Sequence, residues 1–441
     1  MIITQTVGED IRSEEMSVIP DSKFQCANTT CLPFISVTTT DIRNCQFACL
    51  GQSQCTAATF HRSTSNCELF DNMLSQNGNL LSDVDATSIN VISGTRFPPE
   101  STTTSTTTTA TIQQWTMTGN MSFGRYLHTA STLANGSVLV AGGYGSSGYL
   151  NSAELYNPST GTWTITGNMS IAREYHAAST LANGSVLVAG GSNSVVNLNS
   201  AELYNPLTGT WTTTGSMRVA RQLHTASTLA NGLVLVAGGE NGSGVVLSSA
   251  ELYNPLTGTW ATTGSMNIGR AWHTGSILAN GLVLVTGGWG SSGYFNSAEL
   301  YNPSTGTWTI TGNLNAARGF HTASTLANGS VIVAGGYNSG GGDLNSAELY
   351  NPSTGTWTTT GSMNFERSDH TASTLVNGKA LAAGGYLNSA ELYNPSTGTW
   401  TTTGNMSIAR HSHTASTLAN GSVLVAGGQI SGGCTNSAEL Y

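Results

Sequence analysis

The feature that most constrains this chain is a stretch it uses over and over. Residues 128–163 read HTASTLANGSVLVAGGYGSSGYLNSAELYNPSTGTW, and the stretch returns six more times with few changes. Its histidine falls at His128, His176, His224, His273, His321, His370 and His413, in steps of 48, 48, 49, 48, 49 and 43 residues. A unit this short cannot bury an apolar face alone, so a fixed period of this length means one supersecondary unit packed against copies of itself.

Each unit reads as four short strands. HTASTLA is the first, and Asn135-Gly136 turns it, because both residues tolerate positive φ. Ser137 to Ala141 is a continuous apolar run, the pattern of a strand covered on both faces. Gly142-Gly143 ends it, and a variable Gly/Ser loop leads to Ala153-Glu154-Leu155-Tyr156, which alternates like a half-buried strand. The turn NPSTG follows, with Pro fixing φ and Gly allowing a left-handed residue, and Trp163 to Thr166 is the fourth strand. Nothing in the unit has helical period.

Four antiparallel strands per unit make a propeller blade. The diglycine, the Tyr and the Trp at these spacings resemble the kelch repeat. Seven diglycines (Gly142-Gly143, Gly190-Gly191, Gly238-Gly239, Gly287-Gly288, Gly335-Gly336, Gly384-Gly385, Gly427-Gly428) and the series Trp115, Trp163, Trp211, Trp260, Trp308, Trp357 and Trp400 predict seven blades over residues 113–441. The fold class expected is therefore all-β: a seven-bladed kelch-type β-propeller preceded by a small disulfide-rich α+β domain. The segment at Trp115 is a fourth strand with no first three before it, and Ser437 to Tyr441 is a third strand with no fourth after it. The two deficits complement each other, so the strand at Trp115 is expected to close the seventh blade and leave no open edge.

The preceding domain is read from cysteines. Six of the seven lie early, at Cys26, Cys31, Cys45, Cys49, Cys55 and Cys67, with 4, 13, 3, 5 and 11 residues between them. An even, close set points to disulfides in an oxidising compartment, whereas zinc calls for paired CxxC or Cys/His spacing that is missing here. Thr40 to Leu50 reads as a short capped helix with Cys45 and Cys49 on one face; Cys55 to Phe60 and Asn66 to Phe70 read as a hairpin. A helix with CxxxC, then CxAxxF, then CxLF resembles a PAN/apple module over residues 24–97. That resemblance implies the pairs Cys45–Cys67 and Cys49–Cys55, leaves Cys26 with Cys31, and implies binding of proteins or glycans rather than catalysis. Residues 1–23 are polar, acidic and expected to be disordered, and PPESTTTSTTTTATI at 98–112 is a linker, either an O-glycosylated stalk or a bare spacer.

Charged residues make up only 8% of the chain, and the net charge is −9, divided as −6 before residue 113 and −3 after it. No basic face is available for nucleic acid or an anionic membrane, and no apolar run is long enough for a membrane span. The first residues, MIITQTVGEDIRSEE, lack the cationic start and apolar core of an export signal. The cysteines nevertheless favour an extracellular, secreted protein, its start a fragment or misplaced. Sequons at Asn28, Asn135, Asn183, Asn328 and Asn420 fit glycosylation, the last four in the N-G-S turns.

Three constellations bear on function. The repeat histidines are spread by symmetry around a ring, which suits satisfying backbone groups at blade junctions better than binding metal. Each is preceded three residues earlier by an arginine, from Arg125 to Arg410, and each blade carries one glutamate in its third strand, from Glu154 to Glu439. Equal numbers suggest Arg–Glu pairing, with an anion-attracting arginine ring at the channel mouth as the alternative. Tyr175-His176 resembles the Tyr-His pair of galactose oxidase, a copper radical enzyme on a kelch propeller. That family also uses a Tyr–Cys crosslink, and the lone propeller cysteine here is Cys434, in a distant loop.

The repeats disagree on one face. Up-and-down strands put the near-constant LANG and NPSTGT turns on one side of the disc and the variable segments on the other. There lie Tyr126, Tyr175, Trp272 and Phe320, between Arg and His, and Tyr144, Trp289, Tyr294, Tyr337 and Tyr386, after the diglycines. Aromatics among small polar residues suit recognition of protein or sugar surfaces. The expected function is thus extracellular recognition or adhesion of protein or glycan ligands by a monomeric propeller without a cofactor. A copper radical oxidase and an intracellular kelch scaffold are the alternatives.

Overall fold

A computed structural model describes residues 114–441 throughout and, earlier in the chain, the backbone of five strands. The chain divides into two units, 1–107 and 108–441. In the first, Cys55–His61 and Asn66–Asp71 form the hairpin read from the sequence, with a bulge between Cys55 and Ala57, and Ile35–Thr38 pairs on the other edge of Asn66–Asp71. Ser22–Gln25 pairs with Asn79–Ser82. This strand begins two residues ahead of the expected boundary at 24, with Ser22 opposite Ser82 and Lys23 opposite Leu81. The helix expected at 40–50, the three disulfides, Asn28 and the linker lie outside the described residues.

The second unit contains seven four-stranded antiparallel sheets and, among the described residues, no helix. The first is Thr129–Thr132, Val138–Ala141, Ala153–Asn157 and Thr162–Ile165. Its second strand is buried at every position, as the unbroken VLVA run demands; its fourth, TWTI, is exposed or half-buried, as an outer strand must be. Innermost strands lie side by side around a closed ring, Thr414–Thr417 returning to Thr129–Thr132. The seventh sheet is Thr414–Thr417, Val423–Ala426 and Ala438–Leu440, completed by Thr116–Met117 from the other end of the propeller segment. Glu439 pairs with Met117 and Leu440 with Thr116, and the Trp115 ring lies 5.1 Å from that of Tyr441.

The cores sit between blades. Leu139, Ala141 and Ala153 of the first blade pack on Val186, Val188 and Tyr204 of the second, and the arrangement recurs around the disc. The repeat's aromatic marks hold these junctions. Tyr156 and Trp163 face each other in register, rings 5.1 Å apart. Trp163 Nε1 donates to the Gly119 carbonyl at 2.8 Å, and the Tyr156 hydroxyl shares a 2.8 Å hydrogen bond with Thr118, both on the preceding blade's connection. The diglycine has its own reason. Gly142 and Gly143 adopt φ of 64° and 91°, and a Cβ on Gly142 would lie 2.6 Å from the Arg173 carbonyl oxygen of the next blade.

Candidate functional site

Arginines and glutamates come first, because they shape the variable face from below. Arg125 is fully buried; one terminal nitrogen donates to the carbonyls of Gly142 and Ser152, the other to Glu154 at 2.9 Å. Glu154 also accepts the backbone N–H groups of Ser122 and Phe123. All seven blades repeat the pair, at 2.6–3.0 Å. The arginine therefore ties its own blade's second-to-third loop to the incoming connection. Full burial removes the alternative of an anion-attracting ring.

The histidines are buried at the junctions as expected, with backbone groups beside the ring, as Arg173 and Ala141 are beside His176. The ring also reaches a side chain that the sequence did not point to. His176 Nε2 shares a 2.9 Å hydrogen bond with the Thr129 hydroxyl of the preceding blade, and five other junctions repeat it. The seventh does not: position 177 is Ala, and His224 Nε2 is left buried without a partner. Burial first, and then the neighbouring arginine, hold these rings neutral; His176, His273 and His413 are pushed down to about 3.

Above them the variable residues are assembled by two backbone devices. In six blades the residue before the collar position bridges to the residue after the same blade's diglycine, as Tyr126 does to Tyr144, Ala271 to Trp289 and Gly319 to Tyr337. The two variable segments of a blade thus become one surface. In four blades the loop continues as a two-residue hairpin, such as Trp289–Gly290 with Gly293–Tyr294, where the sequence suggested an irregular loop. The second device is a collar. Leu127, Tyr175, Leu223, Trp272, Phe320, Asp369 and Ser412 all have φ of 51–59°. Each donates its N–H to the carbonyl of its counterpart in the preceding blade at 3.0–3.4 Å, and Leu127 closes the circle on Ser412. Left-handed backbone is costly for bulky residues, so the closed ring of hydrogen bonds is what holds them there.

The expected aromatics gather in separate groups. Tyr126, Tyr144 and Tyr149 meet in succession at 5.6 and 5.1 Å, tilted and then edge to face, and Trp272 meets Phe320 at 4.6 Å and Trp289 at 5.8 Å. Tyr175 is on the collar, its phenol raised by burial and then by Glu174, whose own carboxyl is pushed up to about 7 by burial. Tyr294 and Tyr337 meet edge to face at 5.5 Å, and Tyr386 lies flat on His411 at 3.8 Å. Tyr294, Phe320, Tyr337 and Tyr386 line an open cleft of about 340 Å³ with Asp343, Ser368 and Asp369. The two aspartates were not among the expected site residues. Asp369 takes the place between Arg and His that Tyr175, Trp272 and Phe320 take in other blades, and Asp343 sits in a variable loop without a repeat signal. Burial first, and then Asp343, push the Asp369 carboxyl up to about 6.

Comparisons with known proteins agree with the architecture. The profile of the Kelch motif matches residues 125–170, 175–218, 223–267, 273–315 and 318–364, just over half of the chain, and that of the PAN domain matches 23–93. The last two blades depart from the motif physically: one has a shortened loop at Gly384 to Ser389, and the other is built from both ends of the segment. A search of curated proteins found no match. Among solved structures, a fungal alcohol oxidase of the AA5 family, in complex with copper, is 18% identical over 75% of this chain and 76% of its own, with a TM-score of 0.59. The donors among the described residues do not form a copper set. Among the described residues no three His, Cys, Asp or Glu side chains gather. His176 is spent on Thr129, and Cys434 lies in a hairpin, beside Gly124. The likeness therefore extends to the propeller, and the chain belongs to the Kelch-motif family, with a PAN domain ahead of its blades.

Proposed function

We propose that this is an extracellular recognition protein whose variable face binds glycan or protein ligands, with the PAN domain as a second binding module. The observation that carries the reading is the cleft at Tyr294, Phe320, Tyr337 and Tyr386, where aromatic rings stand beside the carboxyl groups of Asp343 and Asp369. Rings give stacking area at small entropic cost, and carboxylates give direction, the usual division of labour in recognition sites. Tyr386 is 56% exposed and Tyr337 38%, so both are open to a ligand. The opposite face supports the same reading. Its Asn135, Asn183, Asn328 and Asn420 are exposed in N-G-S turns, where attached glycans would leave the variable face clear. No helix among the described residues is long and apolar enough to cross a membrane.

The test is an array of glycans and extracellular proteins probed with the full chain. Ligands captured by the parent should be lost, by about tenfold in affinity, in a Tyr337→Ala/Tyr386→Ala variant of unchanged melting temperature. Ser159→Ala, in a turn of the constant face, should bind as the parent does. Equal capture by the aromatic variant would refute the reading, and peroxide release on alcohols or sugars after copper loading would favour an oxidase instead.

A further inference from the structure

The charges of the propeller are almost all spent on its architecture. Seven arginines and seven glutamates pair internally, leaving Arg218 and Lys379 against Glu174, Glu240, Asp343, Glu366 and Asp369. Two of those five carboxylates, Asp343 and Asp369, line the same cleft, and among the described residues no lysine, arginine or histidine forms an ion pair with either. Like charges sharing a partly desolvated site destabilise each other unless a cation joins them. The rest of the lining is Ser368, three tyrosines and a phenylalanine, and the ring faces attract cations.

Resting on the reading of the variable face as a recognition surface, we propose that this cleft binds an alkylammonium group, borne by a small molecule or by a lysine side chain. A neutral sugar would use the rings but leave the two carboxylates without a counter-ion. A cation answers both. The volume of about 340 Å³ accommodates a trimethylammonium group or the end of a lysine with its hydration. Affinity should also follow pH. The Asp369 carboxyl, pushed up to about 6, faces Asp343 and lies within electrostatic reach of the phenols of Tyr175, Tyr294 and Tyr386, which stay neutral in the acid range. A cation prefers the ionised form, so binding strengthens as pH rises through 6 and fades below it.

Calorimetric titration of the full chain at pH 7.5 compares choline with its uncharged isostere 3,3-dimethylbutan-1-ol, and Nα-acetyl-lysine amide with Nα-acetyl-norleucine amide. At least one cation should bind about tenfold or more tightly than its neutral partner, in keeping with desolvated cation–π and charge contacts. Preference for choline assigns a small-molecule ligand; preference for lysine assigns a protein-borne one. Asp343→Asn/Asp369→Asn should erase the difference between isosteres, and Tyr337→Ala should weaken the cation severalfold. Equal binding within both pairs, or no heat from either cation up to about 50 mM, overturns the proposal without recourse to any variant. Array ligands lost on removing Tyr337 and Tyr386 but unaffected by the aspartate changes would leave recognition standing and remove the cation.

Discussion

At the scale of single residues, the ring is uneven at one place. Six junctions pair a histidine with a threonine hydroxyl, and Ala177 denies His224 that partner. A buried nitrogen without a partner costs about 1–3 kcal/mol, so Ala177→Thr should raise stability by about 1 kcal/mol, and Thr225→Ala should lower it by a similar amount. Thermal melts of both variants measure this directly, and an Ala177→Thr protein no more stable than the parent would mean that the hydroxyl contributes nothing. The exception was readable in advance as HAAST among six HTAS or HTGS segments. The collar was not. Its left-handed position is filled by Leu, Tyr, Trp, Phe, Asp and Ser, of which only Asp favours positive φ, because a circle of backbone bonds imposes the conformation rather than local preference.

At the scale of the blade, the organising element is the buried Arg–Glu pair with its loop. Glu251 holds Arg221 at 2.9 Å and accepts two backbone N–H groups from the connection at Arg218 and Val219. Glu251→Gln removes the counter-charge of a fully buried guanidinium and should cost about 3–5 kcal/mol. Arg221→Met/Glu251→Gln should cost less than the two single changes summed, because no lone charge remains buried. Denaturant melts of the two singles and the double decide it, and strict additivity would rule out direct coupling. The pairing could be inferred from seven matched residues of each sign, since stoichiometry survives in a sequence even when geometry does not. What the sequence could not show was the partner geometry of the histidines or the joining of the two variable segments. The segments join across 18 residues and the histidines find their threonines across 42 to 48, or 286 where the ring closes, and no local pattern encodes them. The cleft shows the same division: its tyrosines stood out as departures from the repeat, while Asp343 entered only once neighbouring blades were brought together.

At the scale of the whole disc, one property belongs to all seven blades at once. Each repeat histidine is buried and held neutral, well below its ordinary value of 6.5. The unfolded chain takes up protons there that the folded ring refuses, so stability present above 6.5 is lost as pH falls toward 3. One unit below 6.5 each site costs about 1.4 kcal/mol, or roughly 10 kcal/mol for the seven together. The melting temperature should therefore drop by at least ~10 °C between pH 7 and pH 5, which scanning calorimetry can follow. A flat profile over that interval would show that the histidines are accessible to protons when folded. The closure of the disc has a mechanical consequence. The chain ahead of residue 114 enters the propeller through Thr116–Met117, held to its neighbour by two residue pairs and anchored by Trp115, whose indole donates to Gly404 at 2.8 Å. Tension arriving along that chain meets the outermost strand of one blade before any other, and an edge strand yields by peeling, one pair after another. The same strand that seals the ring is therefore its mechanical fuse: a protein anchored by its leading segment and loaded through a bound ligand would open at the seventh blade while the other six kept their strands.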